Sequence, residues 1–150
     1  MKVLVNDRFD VALAAGAAGV HLTSQSLSTQ IVRRICGEQF IIGVSTHSLN
    51  EVRTARDGGA DFAVFGPVFE TESKRGFGPA QGLAHLELVA RDVAPFPVLA
   101  LGGVALENVA DCFRVGASGV AAIGMFSETE SLAETVLEIR RRYESSASLQ

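Results

Sequence analysis

Cysteine, long apolar runs and positive charge are all scarce in this chain, and each scarcity removes a class of protein. Cys36 and Cys112 stand alone in separate helix-like segments. Two such residues make neither a metal-ligand spacing nor a disulfide framework, so buried, reduced thiols are expected. No apolar run is long enough to cross a bilayer. No secretory leader is read either, because Met1-Lys2 leads directly into Val3-Leu4-Val5 and then Asn6-Asp7. The expected location is therefore the cytoplasm, with no membrane partner. The net charge of −4 argues against nucleic acid but leaves room for a small phosphorylated ligand held by a local basic loop. No linker, low-complexity run or second domain interrupts the 150 residues. A hydrophobic share of 47% and a charged share of 20% suit one soluble domain with its own core. One domain over 1–150 is expected, with residues 145–150 as a frayed tail.

What the chain does have is a repeated turn. Gly16-Ala17-Ala18-Gly19-Val20, Gly59-Ala60-Asp61-Phe62-Ala63 and Gly116-Ala117-Ser118-Gly119-Val120 are variants of one pattern. Each follows a segment rich in alanine and charge and precedes a short apolar run. Glycine just past a helix end takes the left-handed conformation that stops the helix. The pattern predicts strands at Val3 to Asn6, Gly19 to Leu22, Ile41 to Ser45, Phe62 to Gly66, Val98 to Gly102 and Gly119 to Gly124. Helices are predicted over 8–15, 28–36, 48–58, 81–93, 105–115 and 129–143. The strands are mostly apolar rather than alternating, as parallel strands covered on both faces are. Ser28 and Ser48 look like N-caps, the second with Glu51 at a capping-box spacing.

Strict alternation of strand and helix means a parallel α/β fold, either a (β/α)₈ barrel or an open doubly wound sheet. No G-x-G-x-x-G follows the first strand, which weakens the dinucleotide-binding option. Polar residues collect where strands end: Asn6-Asp7, His21, Ser45-Thr46-His47, the 67–79 loop, Gly102-Gly103 and Gly124. Barrel active sites gather at that face. The stretch Phe65 to Gly76 runs from a buried-looking strand into Thr71, Ser73, Lys74 and Arg75, with glycines at 76 and 78. Hydroxyls, an ammonium and a guanidinium on a glycine-bearing loop are what a phosphate site needs. Gly102, Gly103 and Gly124 end the last two predicted strands, where small residues let backbone N–H groups approach an anion. His21 reads as a core histidine and His85 as a surface one.

These residues resemble a known family, thiamine phosphate synthase and its sibling TenI, the thiazole tautomerase. The likeness covers about 3–126. It rests on Val5-Asn6-Asp7-Arg8, Gly19-Val20-His21-Leu22, Gly43-Val44-Ser45-Thr46-His47-Ser48, Gly66-Pro67-Val68-Phe69 with Thr71 and Lys74, and Ala100-Leu101-Gly102-Gly103-Val104. It implies a TIM barrel of thiamine biosynthesis that acts on thiazole phosphate. In the synthase that compound attacks a pyrimidine pyrophosphate and displaces pyrophosphate with Mg²⁺ assistance. Carried over, Asn6 touches the pyrimidine pyrophosphate, Asp7 binds Mg²⁺, and Ser45 and Lys74 hold pyrophosphate oxygens. Thr71 and Ser73, with backbone around Gly102-Gly103 and Ile123-Gly124, hold the thiazole phosphate.

Two departures from the family pattern matter. The synthase carries a second magnesium-binding aspartate a few residues after its Gly-Val-His-Leu strand, where this chain has Ser26. A hydroxyl replaces a carboxylate on Mg²⁺ poorly. With the Phe-Glu-Thr-x-x-Lys-x-Gly loop at 69–76, this favours the tautomerase, which needs no metal. His47 would then be its acid–base group, as a near-neutral pKa suits, with Lys74 beside it in the catalytic assignment. The family also begins with two further βα units, one bearing a basic motif for pyrophosphate. At roughly 25 residues per unit this chain has room for six, whereas closed barrels run from about 200 residues upward. The expected fold is thus a TIM-type barrel truncated to six βα units, self-associating through its open edges. Three functions are weighed: a tautomerase, a synthase, and a non-catalytic phosphate-binding remnant.

Overall fold

The computed structural model describes residues 2–70 and 79–147. Six short strands, β1 (Leu4–Asn6), β2 (Gly19–Leu22), β3 (Ile41–Thr46), β4 (Phe62–Phe65), β5 (Val98–Leu101) and β6 (Gly119–Ala121), form one sheet. Each strand pairs in parallel with the next in chain order. The helices between and after them are α1 (Phe9–Ala14), α2 (Thr29–Cys36), α3 (Leu49–Asp57), α4 (Gly82–Val93), α5 (Val109–Arg114), α6 (Gly124–Ser127) and α7 (Leu132–Ala147). The result is a half-barrel of TIM type, with β1 and β6 at its two edges among the described residues.

The repeated turn is one hydrogen-bonded device used three times. Gly16, Gly59 and Gly116 sit at φ 63°, 88° and 98°. In each case the glycine N–H bonds the carbonyl three residues back, and the next N–H bonds the carbonyl five back: Ala17 to Ala12, Ala60 to Ala55, Ala117 to Cys112. This double bond satisfies the last orphan carbonyls of the helix and turns the chain into the next strand.

Strand register sorts the residues onto two faces. Val20, Leu22, Ile42, Ala63, Phe65, Val98 and Ala100 face the helices and are at most 1% exposed. They pack into two apolar clusters, one joining β1–β3 to α1 and α2, the other joining β4 and β5 to α3, α4 and α5. The alternate residues form the concave face. Asn6, His21, Gly43 and Phe62 share one row; Ser45, Val64, Leu99 and Gly119 share another. A Cβ on Gly43 would lie 2.3 Å from the Phe62 ring and 2.9 Å from His21 Nδ1, so that row closes only around glycine. At the opposite ends of the strands Arg33 donates to the carbonyls of Gly37, Phe40 and Gly59 and pairs with Asp61, whose carboxylate also accepts the Ile42 N–H.

Several expectations are corrected. β6 ends at Ala121, because Gly124 opens α6 rather than closing the strand. α5 begins at Val109, since residues 105–108 form a turn. The tail is helical further than expected: α7 runs through Ala147, with the Ser145 and Ser146 hydroxyls bonded to the Arg141 and Arg142 carbonyls. Ser48 caps α3 through the Glu51 N–H, whereas Ser28 makes no side-chain cap to α2. His85 is not a surface residue. It is half-buried, its ring edge-on to the fully buried Phe65, with Nδ1 2.8 Å from the Gln81 carboxamide oxygen.

Candidate functional site

The C-terminal end of β1 delivers Asn6 and Asp7. Asp7 has φ 63°, the one non-glycine positive value among the described residues. Its N–H donates to the His21 carbonyl at 2.8 Å, and the Arg8 N–H donates back to the Asn6 carbonyl at 2.7 Å. A left-handed aspartate costs conformational energy, and such strain concentrates at ligand sites. The loop after β2 folds onto it: the Ser26 hydroxyl donates to Asp7 Oδ1 at 2.5 Å and accepts the Thr23 N–H at 2.8 Å. Ser26 thus lies beside Asp7, where the sequence comparison put a second carboxylate. Among the described residues no cluster of three or more Asp, Glu, His or Cys is poised for a metal. One carboxylate and one hydroxyl fit Mg²⁺ only with help, since this ion is commonly bound by one or two carboxylates plus phosphate oxygens of the substrate.

β2 and β3 deliver His21 and Ser45, whose Nε2 and Oγ lie 2.8 Å apart. Burial pushes the His21 imidazole below its ordinary pKa, which keeps the ring neutral near neutral pH. Its side therefore offers hydrogen bonding rather than charge. His47, just past β3, donates its Nδ1–H to the Gly66 carbonyl at 2.5 Å, because a carbonyl can only accept. In a neutral ring that bond selects the tautomer with the hydrogen on Nδ1. The His47 N–H is held by the Glu51 carboxylate at 2.6 Å.

β4 and β5 keep pairing beyond their ends. The Val68 and Phe69 N–H groups donate to the Leu101 and Gly102 carbonyls at 2.8 and 3.0 Å. The N-cap and first residue of α4 grip the same segment, Gln81 N–H to Pro67 O at 2.7 Å and Gly82 N–H to Val68 O at 3.0 Å. Gly102 and Gly103 have φ 94° and 62°. A Cβ on Gly102 would meet Pro67 Cα at 2.6 Å, and one on Gly103 would meet the Glu70 carbonyl at 2.6 Å. Both positions thus require glycine twice over, for backbone conformation and for space.

These ends converge on a cleft of about 540 Å³ at the C-terminal end of the sheet, lined by Asn6, His21, Pro67, Leu101 to Val104 and Ala122 to Met125. Of the residues singled out from sequence, Asn6, Gly102, Gly103, Ile123 and Gly124 come together there. Ser45 touches the cleft residue His21 but itself lines a neighbouring pocket with Ser26 and Thr46. Asp7 faces a separate shallow pocket shared with Arg8, Asp10 and Ser26. His47 is exposed and is not among the residues lining the cleft. Thr71, Ser73 and Lys74 lie outside the described residues. His21 is a cleft residue rather than a core one; the sequence signal is that, like Asn6-Asp7, it stands near the end of an apolar strand. Asn108 was missed, and only its spacing of five residues after Gly103 hints that its carboxamide reaches back to that loop.

The cleft lies at the C-terminal ends of the strands of a parallel α/β half-barrel, the face at which (β/α) barrels in general carry their active sites. The family comparison makes the assignment specific: residues 1–126 match the thiamine monophosphate synthase (TMP-TENI) family model, and the chain belongs to that family. Among its relatives, the thiamine-phosphate synthase of Anaeromyxobacter dehalogenans is 46% identical over 121 residues, covering 81% of this chain and 54% of that protein. That of Halalkalibacterium halodurans is 38% identical over 135 residues, covering 90% and 64%. Thiamine phosphate pyrophosphorylase from Pyrococcus furiosus has the same fold, with a TM-score of 0.81 at 31% identity over 95% of this chain and 67% of that one. The chain therefore spans between about half and two thirds of the length of the curated relatives it matches. Among the described residues, no helix is long and apolar enough to cross a membrane.

Proposed function

We propose that this chain carries the thiazole-phosphate side of a thiamine-phosphate synthase, which couples thiazole phosphate to hydroxymethylpyrimidine pyrophosphate and releases pyrophosphate. The observation that carries this is the cleft itself. One wall presents Asn6 and the neutral His21; the other presents backbone at Gly102, Gly103, Ile123 and Gly124. The glycine wall takes the thiazole phosphate, with Thr71 and Ser73 as further donors. Asn6, Ser45 and Lys74 take the pyrimidine pyrophosphate. Expelling pyrophosphate builds negative charge, and Lys74 stabilises it where it develops. Asp7, with the Ser26 hydroxyl beside it, would hold Mg²⁺ jointly with pyrophosphate oxygens; when bound, the ion neutralises charge on the leaving group.

The tautomerase, expected first from the sequence, gives way to the synthase. Relatives at 38–46% identity carry the synthase name, and His47 sits outside the cleft lining with one ring nitrogen committed to Gly66. The test is pyrophosphate release by the chain supplied with both substrates and Mg²⁺. Release that falls in Asn6→Ala and Lys74→Ala supports the synthase. His47-dependent proton exchange on the thiazole without coupling restores the tautomerase. Protection by thiazole phosphate against thermal unfolding, with neither reaction, identifies a non-catalytic binding remnant.

The edges belong to the same proposal. β1 and β6 have no sheet neighbour on one side among the described residues, and Val3 beside β1 is 57% exposed. Unpaired edges template pairing with another chain. The 150-residue chain is expected to self-associate in light scattering; a stable monomer at high concentration removes this part.

A further inference from the structure

The loop after β5 is held in its conformation by a side chain that does not line the cleft. Asn108, half-buried, spans the loop with both ends of its carboxamide. Oδ1 accepts the Ala105 N–H at 2.9 Å, and Nδ2 donates to the Gly103 carbonyl at 2.9 Å. Reversing the carboxamide would set donor against donor and acceptor against acceptor, so the chemistry of its two partners fixes its orientation. A trans peptide points its C=O and N–H in opposite directions. With the Gly103 carbonyl drawn toward Asn108, the Val104 N–H of the same peptide is turned away from Asn108. One step earlier, the Phe69 N–H draws the Gly102 carbonyl at 3.0 Å, which turns the Gly103 N–H away from Phe69. Gly102, Gly103 and Val104 all border the cleft.

We propose that Asn108 is a positioning residue for anion binding: by holding the Gly103 carbonyl outward it presents the Val104 N–H, next to the Gly103 N–H, to a phosphate in the cleft. This rests on the phosphate-binding cleft proposed above and adds a residue to which neither the sequence nor the family comparison gave a role. An asparagine is required because one side chain must accept at one point and donate at another. Alanine removes both bonds. Aspartate keeps the acceptor for Ala105 but has no donor for Gly103. A second brace acts on the same loop from outside, where Arg142 of α7 donates to the Leu106 carbonyl at 2.5 Å, and it supplies a control. Losing it loosens the loop without releasing the Gly103 peptide.

The experiment is a titration of the ¹⁵N-labelled full chain with inorganic phosphate, reading amide resonances at saturation so that affinity differences drop out. In the parent chain the Gly103, Val104 and Gly124 resonances are expected to move. In Asn108→Ala the Val104 response should fall by half or more while the Gly124 response remains. Asn108→Asp, which retains the Ala105 bond and guards against a misfolded alanine variant, should lose the Val104 response as well. Arg142→Ala should lower the melting temperature yet keep the Val104 response. An undiminished Val104 response in either Asn108 variant overturns the positioning role and leaves the phosphate cleft standing. No response at Gly103, Val104 or Gly124 in the parent chain overturns the cleft and the positioning role together.

Discussion

The two faces of the sheet are made from the same kind of residue and end in different environments. On the convex face Phe65, Ile42 and Leu22 are at most 1% exposed beneath the helices. On the concave face Phe62, Leu99, Ile41 and Leu101 are only half-buried, because the described strands curve through part of a barrel. The helix-covered face holds the fold together. The open face keeps its polar side chains, Asn6, His21 and Ser45, within reach of solvent. The difference teaches that burial in this architecture is not a property of strand residues as such. It follows from which layer lies opposite them.

The largest effect should come from breaking the covered face. Phe65→Ala removes a fully buried ring that also supports His85, and should cost about 3–5 kcal/mol in urea denaturation. Phe62→Ala on the open face should cost about 1–2 kcal/mol, since part of the ring already meets water. Equal costs would mean that the concave face is covered in solution, and light scattering would then show by how many copies.

Glycine substitutions should come next. Gly37 and Gly102 have similar positive φ, 75° and 94°. A Cβ on Gly37 meets nothing within 4 Å, whereas one on Gly102 meets Pro67 at 2.6 Å. Gly37, at φ 75° and ψ 179°, sits in a region essentially reserved for glycine, so Gly37→Ala should cost about 1–3 kcal/mol from backbone conformation alone. Gly102→Ala should add roughly 1–3 kcal/mol from overpacking and should abolish thermal protection by phosphate. Retained protection in Gly102→Ala would remove this loop from the binding face.

A smaller effect is expected at the metal position. Ser26→Asp sets a second carboxylate beside Asp7, with which Ser26 now shares a 2.5 Å hydrogen bond. Mg²⁺ binding, followed by calorimetry, should strengthen several-fold as the charge of the ligand set rises. Unchanged binding would show that Asp7 and Ser26 do not share the ion.

The smallest effect concerns pH. Burial lowers the His21 pKa in the folded chain, so the unfolded chain takes up this proton first. Stability from His21 is complete above the unfolded value of about 6.5 and is lost as pH falls below it toward the folded pKa. His21→Asn should flatten that slope in denaturation curves between pH 7 and pH 5. An unchanged slope would mean that the imidazole is already solvated.

Local chemistry made much of this legible. The glycine turns at 16, 59 and 116 appear in the structure with the same pair of hydrogen bonds, because a helix stop depends on residues close in sequence. The hydrogen bond from Ser26 to Asp7 was not legible, because it joins the end of β1 to the loop after β2, and motif position alone says only that Ser26 stands where a carboxylate is expected. The ends of β6 and α7 were only partly legible. Glycine at 124 can end a strand or open a helix, and the serines at 145 and 146 bond back into the helix they were expected to fray.

The sequence by itself determined the alternation of strand and helix, the parallel order and the family, because apolar runs, helix stops and motif order are written along the chain. Only the tertiary structure decided which polar residues share a cleft. His21 and His47 both stand at strand ends, yet register turns His21 into the cleft beside Asn6, while a bond to Gly66 holds His47 outside its lining. Asn108 acquires a role only once the chain returns its carboxamide to the Gly103 loop. Side-chain direction and the carbonyl that accepts a given donor are set by register and packing between segments, and neither is encoded at any single position.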